Sequence, residues 1–309
     1  MLADIEFQQN QQITGVFRVH KPVVRTVRNH TQYISCMLCD RSGQIPAYAW
    51  LDRYNGIPLA NRALVAVSGV TRWFADRWQL DLSMTELVQS RNDNPLDFLL
   101  EDYFAVQSCI ARLESTVNYF QISALRDFLI NILRDDRITL PLLSLPASFK
   151  HHHAYPGGLL EHSLECPEFV QHATIWQDQA QRELAVCAAL LHDIGKTRTL
   201  DRVNGGMIGA LLGHDLLTLE LLAKPLALLE QSWPDGATAM RYLLSWKLQH
   251  HSNRQPMMTI AEIVQAADRV SSGMHNESVL FGEVPAWKKL VANDRGKFWR
   301  PETAIAYVA

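Results

Sequence analysis

A series of cation-binding side chains runs through the second half of the chain: His162, the His192–Asp193 doublet, His214, the His250–His251 doublet and Asp268. Each sits in or beside a segment whose apolar residues recur at helical spacing. His162 follows GGLLE and shares a helical pattern with Leu159, Leu160 and Leu164. The doublet closes the apolar run AALLHDIGK, residues 188–196. Asp268 lies four residues after Val264 and one after Ala267, on the inward face of IAEIVQAADRV. A single histidine on such a face is commonly a satisfied core residue. A carboxylate is harder to place there, because burying it unpaired costs several kcal/mol. Several histidines and two aspartates on inward faces call for a shared counter-charge, and divalent cations supply one. Neutral imidazole with carboxylate suits Mn²⁺, Fe²⁺ or Zn²⁺, and no cysteine belongs to the set, which argues against a thiolate zinc site.

Geometry limits how the doublet can work. Neighbouring side chains on a helix diverge by about 100°, so His192 and Asp193 reach one cation only from a site between their directions. A helix end provides that, and Gly195 is placed to make one. At the other doublet, His251 continues the stripe Met240, Leu244, Leu248, whereas His250 continues Leu243 and Lys247. Periodicity alone leaves that choice open.

The elements that must hold these groups change character along the chain. Residues 12–90 contain short runs rich in β-branched and aromatic residues: ITGVFRVHKPVVRTV, YISCMLCD, IPAYAWL, ALVAVSGVTRWF and RWQLDLSMTELV. Asp40–Ser42–Gly43, Asn55–Gly56 and Asp76 punctuate them as turns. Such a set suits a small closed barrel. Leu80, Leu82 and Met84 alternate and should face one side. Asn92–Asp93–Asn94–Pro95 marks a boundary. Beyond it Leu96, Leu99, Leu100, Tyr103 and Phe104 recur at helical spacing, as do Leu125, Phe128, Leu129, Ile132 and Leu133. The expected organisation is a β-barrel over 1–91, a helical linker over 92–140, an all-helical domain over 141–275 and a tail of short elements over 276–309.

Composition narrows the setting. The 309 residues are 48% hydrophobic and 20% charged, as in ordinary globular proteins, and the net charge of −3 excludes a global basic field. No run of 18 apolar residues occurs, so a membrane-spanning helix is not expected. MLADIEFQQNQQ has no basic segment followed by an apolar one, so no secretory leader is expected. The five cysteines are scattered and odd in number. Cys36 and Cys39 form a lone C-x-x-C with no second pair to complete a zinc site. These features point to a reducing cytoplasm.

The ordered pattern His162, His192–Asp193, Asp268, with histidines between, resembles the HD superfamily of metal-dependent phosphohydrolases. His162 matches the family's first histidine and His192–Asp193 its doublet. His214 in LLGHD and His250 in LQHHS match the intervening pair, and Asp268 in AADRV the last aspartate. The resemblance implies two divalent cations, Mn²⁺ foremost, with Fe²⁺, Mg²⁺, Zn²⁺ or Ni²⁺ as alternatives. It makes Asp193 the bridging ligand and favours His250 over His251. A closer resemblance covers nearly the whole chain. SFKHHHAYPGGLLEHSLE is similar to the HD-domain entry of YhaM-type 3′→5′ exoribonucleases, which also carry an N-terminal OB-fold, a helical linker and a tail like KFWRP. One departure is Pro167, which removes a backbone donor from the helix carrying His162 and should kink it beyond the ligand.

The implied activity is hydrolysis of single-stranded RNA, and possible action on single-stranded DNA, from the 3′ end. Two cations would activate water, neutralise phosphoryl oxygens and assist the leaving group. Lys196, one turn beyond His192, either reaches a phosphate as a point charge or is a terminal lysine favoured by the helix dipole. His151, His152 and His153 read either as a polar loop at a helix entry or, as the resemblance implies, as substrate contacts, with His153 favoured because HAY-x-GG holds the family's register; His275 and His172 receive no role. In the barrel, single strands are held by stacking bases on aromatics beside basic groups. Tyr33, Tyr48, Trp50, Trp73, Phe74 and Trp78 are available, with several arginines. RWFADRW stands out, because Trp73, Arg77 and Trp78 sit with Arg72 in a polar turn and are hard to bury together. Two other readings remain: an HD enzyme acting on a nucleotide or cyclic dinucleotide, and a non-catalytic nucleic-acid adaptor related to relaxase HD domains. Sequence leaves the oligomeric state open.

Overall fold

The first long strand of the chain serves two neighbours, one along each half of its length. The computed structural model describes all residues except 29, 89–94, 101–102, 201–205, 249–254, 294–295 and 302–309. The N-terminal strands are β1 (Gln12–Thr26), β2 (Gln32–Asp40), β3 (Gly43–Trp50), the two-residue β4 (Asn55–Gly56), β5 (Leu64–Phe74) and β6 (Arg77–Leu87). The first half of β1 pairs with β5, from Gln12–Val70 to Arg18–Leu64. Its second half pairs with β2, with a register shift between His20 and Val23. Pro22 lies in that shift, where its missing N–H costs no ladder bond. Strand order is β3-β2-β1-β5-β6, and β3 returns to β6 in parallel through Ala47–Leu80 and Tyr48–Asp81. This five-stranded closed Greek key is the OB-fold.

The barrel interior is filled by Phe17, Val19, Ile34, Leu38, Val65, Leu80 and Leu82. Met84 departs from its expected side and is exposed, while Thr85 is buried. The register between β5 and β6 slips beside Ser83, so that Ser68 faces Met84 while Gly69 faces Leu82. A one-residue bulge reverses the side on which every later side chain falls. Cys36 and Cys39 are buried free thiols, as expected for strand residues. Burial pushes their pKa values up to about 12 and about 11.

The chain divides into two compact units, 1–117 with 129–140 and 118–128 with 141–309. The helical segments between barrel and C-terminal domain are α1 (Cys109–Tyr119), α2 (Ser123–Leu133) and α3 (Asp136–Ser144). Inside the first unit, the buried Arg18 pairs with Asp136 and Arg41 pairs with Glu114. The helical spacing from Leu96 to Phe104 produces no α-helix among the described residues; Pro95–Phe98 is a 3₁₀ turn. The Asp97 carbonyl accepts from Arg41 N at 2.8 Å, so the barrel takes an acceptor that a helix would have used internally. Leu96, Leu99 and Phe104 are nonetheless buried.

In the second unit, α4 (Gly158–Ala173), α5 (Gln179–Leu191), the short α6 (Lys196–Thr199), α7 (Gly206–Ser232), α8 (Pro234–Ser245) and α9 (Ile260–Gly282) pack together. α4 runs unbroken through Pro167. α5 starts at an Asp178 cap accepting from Gln181 N. Its buried Glu183 accepts from the Gln121 and Ile122 backbone N–H groups at 3.1 and 3.0 Å, which satisfies a carboxylate that would otherwise be costly. α7 is two helices joined at Gly213, whose φ of 71° and ψ of 164° belong to a region essentially restricted to glycine. By length and composition α7 could cross a membrane. The criterion of an unbroken apolar run misses it because His214, Asp215, Glu220 and Lys224 interrupt it. The break at Gly213 and the burial of Leu217, Leu222, Leu226 and Leu229 fit a helix of this unit. A hairpin, β7 (Leu290–Asn293) and β8 (Gly296–Trp299), follows α9.

Candidate functional site

The apolar run of α5 ends at Leu191, and His192 caps it. The doublet therefore stands at a helix end, as the divergence of adjacent side chains requires. α4 brings His162 to it and α9 brings Asp268. Ligand atoms of His162, His192, Asp193 and Asp268 all lie within 4.8 Å of one another. His162 Nε2 is 3.4 Å from Asp193 Oδ2 and 3.3 Å from Asp268 Oδ1. His192 Nε2 is 3.4 Å from Asp193 Oδ2 and 3.7 Å from Asp268 Oδ1. The Gly213 break turns His214 inward, with Nε2 3.2 Å from Asp193 Oδ1. His250 and its alternative His251 lie outside the described residues.

Whether these residues fit a cation can be judged from their own bonding. His192 Nδ1 lies 2.7 Å from the Ala189 carbonyl. A carbonyl only accepts, so Nδ1 carries the proton and Nε2 presents a lone pair to the cluster. Among the described residues, His192 Nε2 and Asp193 Oδ2 are buried without a hydrogen-bond partner. Lys196 Nζ makes an ion pair with that oxygen at 2.6 Å, but not with hydrogen-bond geometry. Buried polar atoms left in this state are costly unless something binds them. The donor set of imidazole and carboxylate fits a divalent cation.

Electrostatics agree. Burial pushes the Asp193 carboxyl up, but the charges of His192 and Lys196 and the close approach of the His162 and His192 imidazoles outweigh it and hold the group well below its usual value. Burial opposes Asp268 likewise, and His162, His192 and Lys247 hold it far below the carboxylate range. Burial depresses His192, yet Asp193 and then Asp268 raise it to about 9. In the absence of a cation, the site thus takes a proton as substitute charge.

Several members of the site are not evident from the sequence. Lys247 Nζ is 2.5 Å from Asp268 Oδ2. Cys166, one helical turn after His162, places its sulfur 4.0 Å from His162 Nε2. The ligand set read from the sequence holds no cysteine; the i, i+4 spacing of His162 and Cys166 brings this one beside it. Burial, then Asp268 and Asp193, push that thiol upward, so it stays protonated without a cation. The histidine triplet is also arranged differently from the register-based expectation. His153 is buried behind His162, with Nε2 3.2 Å from Glu165 Oε1 and its ring stacked on His275 at 4.1 Å. His152 instead lines the opening, together with Asp193, Lys196, His214, Lys247, Arg269 and Phe298. Burial, then His162 and Lys196, push the His152 imidazole down to about 3, so it is neutral near pH 7. His172 is exposed.

The barrel carries a separate aromatic cleft of about 550 Å³, lined by Tyr33, Tyr48, Trp50, Trp73, Phe74 and Arg77 among others. RWFADRW is the hairpin tip between β5 and β6, and Ala75 and Asp76 take φ of 50° and 57°. Trp73 and Trp78 face each other across it with ring centres 5.3 Å apart. Trp73 is half-exposed, 51%. Trp78 packs on Phe7 and the barrel core and does not line the cleft. Tyr33 lies 4.9 Å from Trp50, and the Arg53 guanidinium sits over Trp50 at 5.8 Å. Arg77 Nη2 donates to Tyr48 Oη at 3.3 Å. Arg53 and Arg72 both pair with Asp81, at 2.8 and 3.2 Å.

Comparison with known proteins matches the HD domain family to residues 159–273. The match and the cluster define the class: a hydrolase with an OB-fold barrel followed by an HD domain of the metal-dependent phosphohydrolase type. Within this class the chain is similar to proteins named 3′-5′ exoribonuclease YhaM. It is 21% identical to that of Oceanobacillus iheyensis over 94% of both chains. It is 23% identical to that of Bacillus subtilis, over 88% of this chain and 90% of the relative. The resemblance to the YhaM-type family is thereby borne out over nearly the whole chain. A solved replication protein A heterotrimer bound to single-stranded DNA matches 26% of this chain and 60% of its own, with 27% identity and a TM-score of 0.22.

Proposed function

We propose that the protein is a metal-dependent exoribonuclease that shortens single-stranded RNA from its 3′ end. In this reading residues 1–91 hold the strand, 92–140 link, and 141–275 cut. The observation that carries the hydrolytic reading is the cluster of His162, His192, Asp193 and the half-buried Asp268, with His192 Nε2 and Asp193 Oδ2 left without hydrogen-bond partners among the described residues. The choice of RNA and of direction is supported by the names of the relatives, and single-strand binding by the aromatic cleft with its arginines.

The four residues, with His214 and His250, would hold two divalent cations, Mn²⁺ first among the candidates. Bound there, such ions polarise a phosphoryl oxygen and lower the pKa of a water to near neutrality. The chain's own groups do the rest. His192 is held in one tautomer by Ala189. Asp193 and Asp268, kept ionised by their neighbours, supply the negative charge. Lys196, Lys247 and the exposed Arg269 at the opening draw in the phosphodiester. Ser272 and Asn276 offer neutral hydrogen bonds, and Phe298 an aromatic face for a base. A cytoplasmic setting belongs to the same proposal and is supported by five free, buried cysteines.

The test is incubation of purified protein and Mn²⁺ with 5′-labelled linear RNA, circular RNA, single-stranded DNA, and mononucleotide and cyclic dinucleotide panels. Single-nucleotide shortening of linear RNA with the circle intact is expected. Rapid cutting of the circle would refute the exonucleolytic reading. Turnover of nucleotides alone would replace it with a nucleotide hydrolase, and turnover of nothing, despite bound metal, with an adaptor.

A further inference from the structure

His162 is gripped from behind by a relay that no part of the proposed function uses. Its Nδ1 lies 2.8 Å from Ser271 Oγ on α9. Ser271 in turn donates to Glu165 Oε2 on α4 at 2.5 Å. The second carboxylate oxygen, Oε1, meets His153 Nε2 at 3.2 Å, and His153 is stacked on His275. Glu165 and Ser271 also line a groove of about 550 Å³ with Phe169, Val270 and Met274, none of which lines the opening beside Asp193.

The direction of these bonds is fixed by what each group can do. An ionised carboxylate only accepts, so the single Ser271 proton is committed to Glu165. Ser271 Oγ can then only accept from His162. That requires the proton on Nδ1 and leaves Nε2 as the lone pair facing Asp193 and Asp268. His192 reaches the same tautomer through the Ala189 carbonyl, whereas His162 depends on a side chain three residues along its own helix. We infer that Glu165 is a positioning residue, which acts through Ser271 to hold His162 in the Nδ1–H form that presents Nε2 to a cation. The inference rests on the metal-centre reading for its purpose but not for its geometry. Outer partners of this kind typically change metal affinity by about 10–100-fold.

Glutamine at 165 separates polarity from shape. Its amide can donate to Ser271, which frees the serine proton to point at Nδ1 and removes the bias. Ser271→Ala deletes the relay, and Ser271→Thr keeps its hydroxyl. The experiment uses the full chain with ¹⁵N-labelled histidines, stripped of metal, at alkaline pH where imidazoles are neutral. The His162 signals are identified by their loss in His162→Asn, and near-ultraviolet circular dichroism checks folding. In the wild type and in Ser271→Thr, His162 should show a protonated Nδ1 and a bare Nε2. In Glu165→Gln and Ser271→Ala it should become a mixture or reverse. Titration with Mn²⁺ alone, read as free Mn²⁺ by electron paramagnetic resonance, should show about 10–100-fold weaker binding in those two variants and near-wild-type binding in Ser271→Thr. An unchanged tautomer in both Glu165→Gln and Ser271→Ala overturns the inference, as does a changed tautomer with unchanged Mn²⁺ affinity. A wild-type protein that binds no Mn²⁺ defeats the metal-centre reading instead, and the tautomer measurement alone then decides the relay. If Ser271→Ala does not fold, Glu165→Gln decides it.

Discussion

Gly195 offers the sharpest quantitative test, because a single methyl group there strikes atoms that cannot give way. A Cβ built on it would lie 2.8 Å from both Thr218 N and Thr218 Oγ1, and closer still to the His214 carbonyl oxygen. Carbon–oxygen contacts relax at about 3.3 Å or more, so a retreat of at least about half an ångström is needed. The struck atoms are backbone or already bonded. Thr218 Oγ1 accepts from Gly195 N at 3.0 Å and donates to the His214 carbonyl at 3.0 Å. Overpacking a rigid core costs about 1–3 kcal/mol, and in a domain of this size each kcal/mol lowers Tm by about 2–4 °C. The displacement also separates His214 from Asp193, now 3.2 Å apart. A misplacement of about 1 Å can cost 10²-fold in rate. Gly195→Ala should therefore melt several degrees lower and lose one to two orders of magnitude in Mn²⁺-dependent RNA hydrolysis. Gly206→Ala is the control, because a Cβ there meets open space. Differential scanning fluorimetry and a 5′-label gel assay read both effects. A Gly195→Ala protein with wild-type Tm and wild-type rate would show that the contact between the doublet turn and α7 is not tight, and the reasoning would fail.

Other outcomes follow from the same geometry. Asp193→Asn should abolish bound Mn²⁺ and hydrolysis while leaving single-strand affinity intact; metal analysis and filter binding separate the two. Trp73→Ala should weaken binding of a long RNA by about 1–3 kcal/mol, the worth of one stacked base, without changing turnover of a small model phosphodiester. Phe298→Ala should raise KM for RNA and leave kcat nearly unchanged, which steady-state kinetics would show. The metal-free protein should lose stability on the alkaline side. His192 is raised to about 9 in the fold against about 6.5 unfolded, so its contribution is complete below pH 6.5 and fades as pH rises to 9. Asp193 and Asp268 are depressed, so theirs is present above about pH 3.9 and is lost as pH falls below it. Melting in chelator across this range is the measurement, and Mn²⁺, replacing the proton, should flatten the alkaline limb. A chelated Tm that rises from pH 6.5 to 9 would contradict the charge balance.

The barrel and the helical site were legible where one local rule acted alone. The β-branched and aromatic runs of β1 to β6 and the turns between them were enough for a small closed barrel, and the family resemblance made it an OB-fold. The exception at Met84 came from a bulge beside Ser83, which no alternation rule contains. Leu96 to Phe104 has helical spacing, but its described residues form no α-helix, because the Asp97 carbonyl is taken by Arg41 N. In the site, His162, His192, Asp193 and Asp268 were readable because a polar group on an apolar face needs an explanation from its own segment. Lys247 was not, since a lysine between Trp246 and Leu248 shows no partner in its own segment until Asp268 is placed 2.5 Å away.

The histidine triplet marks the limit of such reading most clearly. His151, His152 and His153 are chemically identical, and the family resemblance, through the register of HAY-x-GG, favours His153. The structure puts His153 at φ 50°, in the left-handed region. That one dihedral reverses the local direction of the chain, so His153 turns back against Glu165 and His275 while His152 faces the opening with Asp193. Left-handed backbone in a non-glycine residue costs about 1–3 kcal/mol and persists only where surroundings over-determine it. Here the surroundings are the His153 carbonyl, which accepts from Ala147 N at 3.0 Å, and the Glu165 contact. Neither partner is adjacent in sequence. The bonds that decide which histidine faces the opening therefore come from the packed domain, and the same holds for Glu165 and Ser271, which lie 106 positions apart and meet only because α4 packs on α9.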